Sequence, residues 1–181
     1  MVKLYIIYEY KSIFPQLAGS ALTDALICSC MGREDIEVRR TEDGKPHVCL
    51  PEGDSGRPYI SVSHSSGTFA LAVSGGEVGL DIQYARDIKR QKIAARYFTE
   101  EEAASVAADD TGDRFFELWT RKEAYGKYTG KGLASVASKE PVDGREDVRF
   151  TDLRLEDGCF CSICTGAEEG ESYEIQISYG E

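Results

Sequence analysis

Long hydrophobic runs are missing from this 181-residue chain, and with them any helix of the ~20 consecutive apolar residues that a membrane span requires. The apolar start, Met1-Val2-Lys3-Leu4-Tyr5-Ile6-Ile7-Tyr8, is closed by Glu9. A signal peptide wants a longer apolar region and a small-residue cleavage site, so a first β-strand fits better and the cytosol is the expected setting. Positive charge is also scarce: 21 Lys and Arg stand against 32 Asp and Glu, a net charge of −11. Such a surface argues against general nucleic-acid binding, which needs a basic footprint. An anionic ligand must then be held by a local basic cluster rather than by the overall field. The six cysteines fall as Cys28-x-Cys30, Cys49 and Cys159-x-Cys161-x-x-Cys164. The two CxxC pairs of a zinc site are lacking, and a cytosolic chain keeps its thiols reduced. Packing is therefore their expected role, with Cys159 and Cys161 on one face of a strand.

What is present suffices for one core or two small half-domains, since 41% of the residues are hydrophobic. Residues 3–9 read as a strand, and 15–31 carry Leu17, Ala21, Leu22, Ala25, Leu26 and Cys30 at helical spacing, with Gly32 as a stop. Residues 36–40 read as a strand, Glu42-Asp43-Gly44-Lys45-Pro46 as a turn, and 51–58 as a polar loop. Strands follow at 59–63 and 68–74 around a Ser63-His64-Ser65-Ser66-Gly67 turn, then at 77–82. Helices are predicted over 88–98, over 99–108 with Thr99 and Glu102 as a capping box, and over 113–128, ended by Gly130 and Gly132. Short strands return from Val148, the last over 173–179. This order is α+β rather than alternating α/β. It leaves open two halves of similar element order, 1–80 and 81–181, within a single functional unit.

Three segments put polar groups where a plain domain has no use for them. In Val78-Gly79-Leu80-Asp81-Ile82-Gln83 an acidic residue sits in an apolar strand, a costly place unless it is paired or bound to metal. Alternation puts Asp81 and Gln83 on one face, and Gly79 leaves room for a close approach. The plainer alternative is a strand end whose Asp opens a turn. In Trp119-Thr120-Arg121-Lys122-Glu123-Ala124-Tyr125-Gly126-Lys127, Glu123 and Lys127 stand at i and i+4 on one helix face. The plainer alternative there is a surface ion pair of small worth. In Tyr59-Ile60-Ser61-Val62-Ser63-His64-Ser65-Ser66-Gly67, hydroxyls, an imidazole and turn amides can hold a phosphate, or simply make a turn. A Ser-His pair with no acidic partner nearby is weak support for a hydrolase triad.

Together the segments resemble the phosphopantetheinyl transferase superfamily, and within it the broad-specificity type that activates surfactin synthetase. The matching motifs appear in order as Gly44-Lys45-Pro46, Val62-Ser63-His64-Ser65, Val78-Gly79-Leu80-Asp81-Ile82-Gln83, Trp119 to Lys127, and Gly130-Lys131-Gly132-Leu133. They span residues 44 to 135.

The resemblance implies an α+β fold of two similar halves, a pseudo-dimer with the active site between them, working as a monomer in the cytoplasm. It implies Mg²⁺-dependent transfer of 4′-phosphopantetheine from coenzyme A to a serine of an apo-acyl or peptidyl carrier protein. Adenosine 3′,5′-bisphosphate is the second product, and no nucleic acid or membrane partner is involved. By resemblance, Asp81 and Glu123 bind the metal, consistent with the preference of Mg²⁺ for one or two carboxylates plus phosphate and water oxygens. Lys45, Ser63, His64 and Lys127 match coenzyme A contacts, and Glu123 and Lys127 are the candidate bases for the serine proton. Tyr128 and Leu133 are candidate carrier contacts by position.

Two departures stand out. The family's acidic residue two positions after the aspartate is Gln83 here, which can offer an amide oxygen to the metal but no charge. The section before Gly44 is short, leaving Lys3, Lys11, Arg33, Arg39 and Arg40 as unassigned candidates for the coenzyme A 3′-phosphate, while Arg57 competes with Lys45. Both departures motivate an alternative, a degenerate member that binds coenzyme A or a carrier without efficient transfer. A scaffolding α+β module is the reading from a different class.

Overall fold

The alternating N-terminal run forms strand β1 (Val2–Tyr8), with Leu4 and Ile6 fully buried. It belongs to a computed structural model that describes residues 1–54, 56–168 and 172–179. The chain divides into two compact units, Met1–Val78 with Glu169–Glu181, and Gly79–Glu168.

In the first unit β1 is followed by one 3-10 turn (Tyr10–Ser12) and helix α1 (Gly19–Met31). The helix begins later than its apolar stripe suggests. Pro15 disfavours helical backbone at Phe14, and the Leu17 N–H closes a turn on the Phe14 carbonyl at 2.9 Å. It ends at Gly32, left-handed at φ 62°, whose N–H bonds to the Ser29 carbonyl. Strands β2 (Glu37–Arg40) and β3 (Pro46–Cys49) form an antiparallel hairpin, pairing Val38 with Val48 and Arg40 with Pro46. Its turn has Gly44 at φ 87°. The polar loop predicted over 51–58 has neither helix nor strand at its described residues, Ser55 lying outside them.

Strands β4 (Tyr59–Ser65) and β5 (Thr68–Ser74) pair antiparallel. Here the structure corrects the expected five-residue turn. Ser63 pairs with Ala70, His64 with Phe69 and Ser65 with Thr68, so the chain reverses only at Ser66-Gly67, where Ser66 is left-handed at φ 52°. The last strand of the chain, designated β9 (Tyr173–Tyr179), runs parallel to β1 rather than among the strands of the expected second half. The resulting sheet has the order β4-β5-β1-β9. Ile7, Leu26, Ile27, Phe69 and Leu71 are central to the core of this unit.

Between the first and last parts of that unit come β6 (Val78–Gln83), α2 (Arg90–Tyr97), α3 (Glu100–Ala107), α4 (Asp113–Thr129), α5 (Leu133–Ala137), β7 (Val148–Arg154) and β8 (Phe160–Gly166). The capping box forms as the sequence indicates: Thr99 Oγ1 accepts the Glu102 N–H, and Glu102 Oε2 accepts the Thr99 N–H. The strands order as β6-β8-β7. Phe98, Phe115 and Trp119 stack in sequence at centroid separations of 5.5 and 5.8 Å, and Phe116 stacks on Phe160. Rings stacked in this way add to the burial energy of the core. All six cysteines are free thiols. Burial pushes Cys159 and Cys164 up to about 12, the range of inert packing groups rather than of metal ligands.

One contact fixes β6 against α4. A Cβ on Gly79 would stand 1.9 Å from the Ala124 carbonyl oxygen and 2.6 Å from the Tyr128 nitrogen. Only glycine lets strand and helix backbones touch here. Asp81 lies two residues along the strand from this point, and Glu123 and Lys127 flank it on the helix.

Candidate active site

Asp81 is 8% exposed on β6, yet it is partnered. Lys127 Nζ reaches from α4 to Asp81 Oδ1 at 2.9 Å and to the Leu80 carbonyl at 2.8 Å. The lysine thus binds the strand, which is more than the surface i, i+4 pair that spacing alone allows. Glu123, half-buried on the same helix, has its carboxyl pushed above the ordinary range. Burial is the main cause and the Asp81 charge adds to it, while the Lys127 ammonium opposes both. Gln83 Nε2 donates to the Tyr84 carbonyl at 3.1 Å.

Two carboxylates, of which Asp81 raises the charging cost of Glu123, are a donor set suited to a divalent cation. Among the described residues no group of three or more His, Cys, Asp or Glu could hold a metal. Mg²⁺ commonly takes one or two carboxylates and fills its shell with phosphate and water oxygens. Asp81 and Glu123 fit such an ion.

In the first unit, Lys45 and Arg57, the two alternatives left open by the sequence, line one cleft of about 260 Å³ with His47 and Tyr59. Lys45 Nζ also lies 3.6 Å from Glu77. Ser63 and His64 are not in this cleft. They sit four and five residues along β4 from Tyr59, roughly 13–17 Å at strand rise. Ser63 is buried and His64 exposed, its ring 6.1 Å from that of Tyr10. Lys11 Nζ is 5.8 Å from the same Tyr10 ring. The other basic candidates are committed to carboxylates: Arg33 to Asp35 and Asp54, Arg39 to Glu37, Arg40 to Asp24, and Lys3 to Glu174. Lys11 has no carboxylate partner among the described residues.

Sequence reasoning missed the role of Lys122. Its ammonium is 2.8 Å from Glu102 Oε2, the two side chains only 1% and 2% exposed, and it also donates to the Glu140 carbonyl at 2.6 Å. Glu102 Oε1 accepts the Val142 N–H at 2.8 Å. The signal was available: Phe115, Leu118, Lys122 and Tyr125 share one helical stripe, so Lys122 falls among buried residues and must find a partner. The side chain of Leu133 lies outside the described residues, and Tyr128 is half-buried.

Paired carboxylates beside an ammonium on a strand–helix contact are equipment for moving phosphate-linked groups. A family model described as the 4′-phosphopantetheinyl transferase superfamily matches residues 77–177, and the chain belongs to that superfamily. It is 31% identical over 182 aligned residues to 4′-phosphopantetheinyl transferase Sfp of Bacillus subtilis strain 168, covering 88% of this chain and 79% of that protein. It is 30% identical over 172 residues to 4′-phosphopantetheinyl transferase gsp of Aneurinibacillus migulanus, covering 86% and 70%. With 4′-phosphopantetheinyl transferase ffp of Bacillus subtilis it shares 29% over 177 residues, covering 95% and 74%.

Proposed function

We propose that this chain transfers 4′-phosphopantetheine from coenzyme A to a serine hydroxyl of an apo-acyl or peptidyl carrier protein, releasing adenosine 3′,5′-bisphosphate. The observation that carries this reading is the meeting of Asp81, Glu123 and Lys127 across the Gly79 contact. In it, the serine oxygen attacks the β-phosphorus, the bond to the bridging oxygen of the pyrophosphate breaks, and the serine proton passes to a base.

Asp81 and Glu123 would hold Mg²⁺, which supplies charge neutralisation at the pyrophosphate oxygens. Lys127 is held by Asp81 and the Leu80 carbonyl, which pre-orients its ammonium as a phosphate contact. Glu123 is the better candidate base, because a carboxyl raised by burial holds a proton more readily than an ordinary one. Lys45, with Arg57 beside it in the cleft, and Ser63 serve as nucleotide and phosphate contacts. His64 and the uncommitted Lys11, both next to Tyr10, are assigned to the 3′-phosphate. In this reading the chain acts as a monomer, in a reducing cytosol that suits six free thiols.

The test is incubation of purified protein with Mg²⁺, labelled coenzyme A and several apo-carrier proteins, read by label on the carrier serine. Labelling that is lost in Glu123→Ala is the expected result. Coenzyme A binding with no carrier labelled would instead mark a binding protein, the reading that a neutral Gln83 favours. Absence of both would refute the proposal.

A further inference from the structure

Helix α4 carries two lysines paired with carboxylates on other elements, and their settings differ. Lys122 and Glu102 are sealed, at 1% and 2% exposure, and the ammonium also holds the Glu140 carbonyl. The side chains of Lys127 and Asp81 are 28% and 11% exposed, and the ammonium bonds to Asp81 Oδ1 and to the Leu80 carbonyl. The first pair is part of the core. The second is open to water on the lysine side, so its ammonium can leave without crossing the core.

That second pair stands one helical turn from a carboxylate with no cation of its own. Glu123 precedes Lys127 by four residues on the same face. Among the described residues it forms no ion pair, because the lysine bonds to the strand instead. Its half-buried carboxyl is repelled by Asp81, and the Lys127 ammonium relieves only part of that cost. Two carboxylates thus face one ammonium, which bonds to only one of them. The site is one positive charge short.

An ammonium and a divalent cation cannot both have full use of Asp81. Lys127 holds Oδ1, and like charges a few ångströms apart at a partly buried site repel strongly. The lysine is equipped to give way, since its four-carbon stem is flexible and its ammonium is a point charge with no fixed fork geometry. The scaffold does not depend on it. At Gly79 the backbone of β6 meets that of α4 at Ala124 and Tyr128, so strand and helix stay together when the ammonium swings away.

We propose that Lys127 is an internal placeholder for the metal: in the free protein its ammonium neutralises Asp81 and holds divalent-cation affinity down, and a phosphate group releases it. Metal and coenzyme A would then load together rather than metal first. This rests on the reading of Asp81 and Glu123 as metal ligands, but it is tested by binding and not by transfer. The probe is Mn²⁺, followed by loss of its free-ion paramagnetic resonance signal, with Mg²⁺ as competitor. Without coenzyme A, Lys127→Gln keeps a hydrogen-bond donor but no charge, and it should bind Mn²⁺ about 10-fold or more tightly than wild type. Lys127→Arg keeps the charge and should stay as weak as wild type. Saturating coenzyme A, corrected for the Mn²⁺ it binds by itself, should narrow the gap between Lys127→Gln and wild type. Pantetheine, which has no phosphate, should leave it unchanged. Lys127→Met takes the place of Lys127→Gln if that variant fails to fold. Mn²⁺ affinity in the uncharged variant equal to or below that of wild type overturns the proposal, as does an equal gain in Lys127→Arg. A gap that coenzyme A does not narrow also overturns it, and makes Lys127 a fixed part of the strand–helix contact. Mn²⁺ bound by no form, with or without coenzyme A, would defeat the metal reading as well.

Discussion

Replacing Lys122 with methionine removes the countercharge of a carboxylate that cannot reach water. Glu102 is 3% exposed and both of its oxygens are engaged, by Lys122 and by the Thr99 and Val142 amides. Removing one member of such a pair typically costs ~3–5 kcal/mol, because the remaining charge stays buried without its partner. At roughly 2–4 °C per kcal/mol for a chain of this size, Lys122→Met should lower the melting temperature by about 6–20 °C. Glu102→Gln should cost a similar amount by stranding the ammonium on the Glu140 carbonyl. The double variant Glu102→Gln/Lys122→Met should recover much of the loss, with a coupling energy of ~2–3 kcal/mol.

The pH dependence of this effect has a definite sign. Burial alone would raise the Glu102 carboxyl, but the bonds from Lys122, Val142 and Thr99 overcome it and hold the group below its ordinary 4.5. Its stabilisation is therefore fully present above pH 4.5 and is lost as the pH falls through the folded-state value. The gap between wild type and Lys122→Met should narrow on acidification. Thermal and denaturant unfolding of the three variants between about pH 3 and 8 measures all of this. A loss below ~1 kcal/mol for Lys122→Met, or additive single effects, would refute the reasoning. So would a fully stable Lys122→Met that cannot transfer, since the lysine would then be acting on substrate.

Glu123→Gln should reduce transfer by ~100-fold or more while raising the melting temperature at pH 7. The folded-state carboxyl is raised mainly by burial, so its ionisation penalises the fold as the pH rises through that value, and the advantage of the variant should vanish below pH 4.5. A Glu123→Gln protein less stable than wild type at pH 7 would contradict that environment. Gly79→Ala should cost ~3 kcal/mol or more, at or beyond the usual penalty of overpacking, because both clashing atoms belong to helix backbone. A melting temperature within about 2 °C of wild type would show that β6 and α4 can separate without loss. Gln83→Glu should hold or raise Mg²⁺ affinity measured by titration calorimetry, and a loss of metal binding would show that position 83 does not serve the metal.

Elements governed by local chemistry were legible in the sequence. The Thr99–Glu102 box, the Gly32 stop and the stripe of α4 each depend on residues within a turn or two of one another. The placement of His64 was not, because Ser-rich sequence reads as a turn until the pairing of His64 with Phe69 draws it into the sheet. Asp81 and Glu123 stood out as acids in awkward places, but that Lys127 reaches β6 depends on a backbone contact that no spacing rule encodes. Lys122 is the instructive miss. It neighbours an acid of the candidate site in the sequence, but its own helical position is in the core.

The parallel pairing of β1 with β9 sets an order of assembly. Val2 meets Tyr173 and Tyr8 meets Tyr179, so the edge of β1 waits for nearly the whole chain to be synthesised. At translation rates of roughly 5–20 residues per second, that edge is uncovered for about ten seconds or longer. Gly79–Glu168 has all of its strands and helices in one uninterrupted stretch and can be complete first. A chain released before residue 173 would thus have its carboxylates and Lys127 in place and its opening sheet still unfinished.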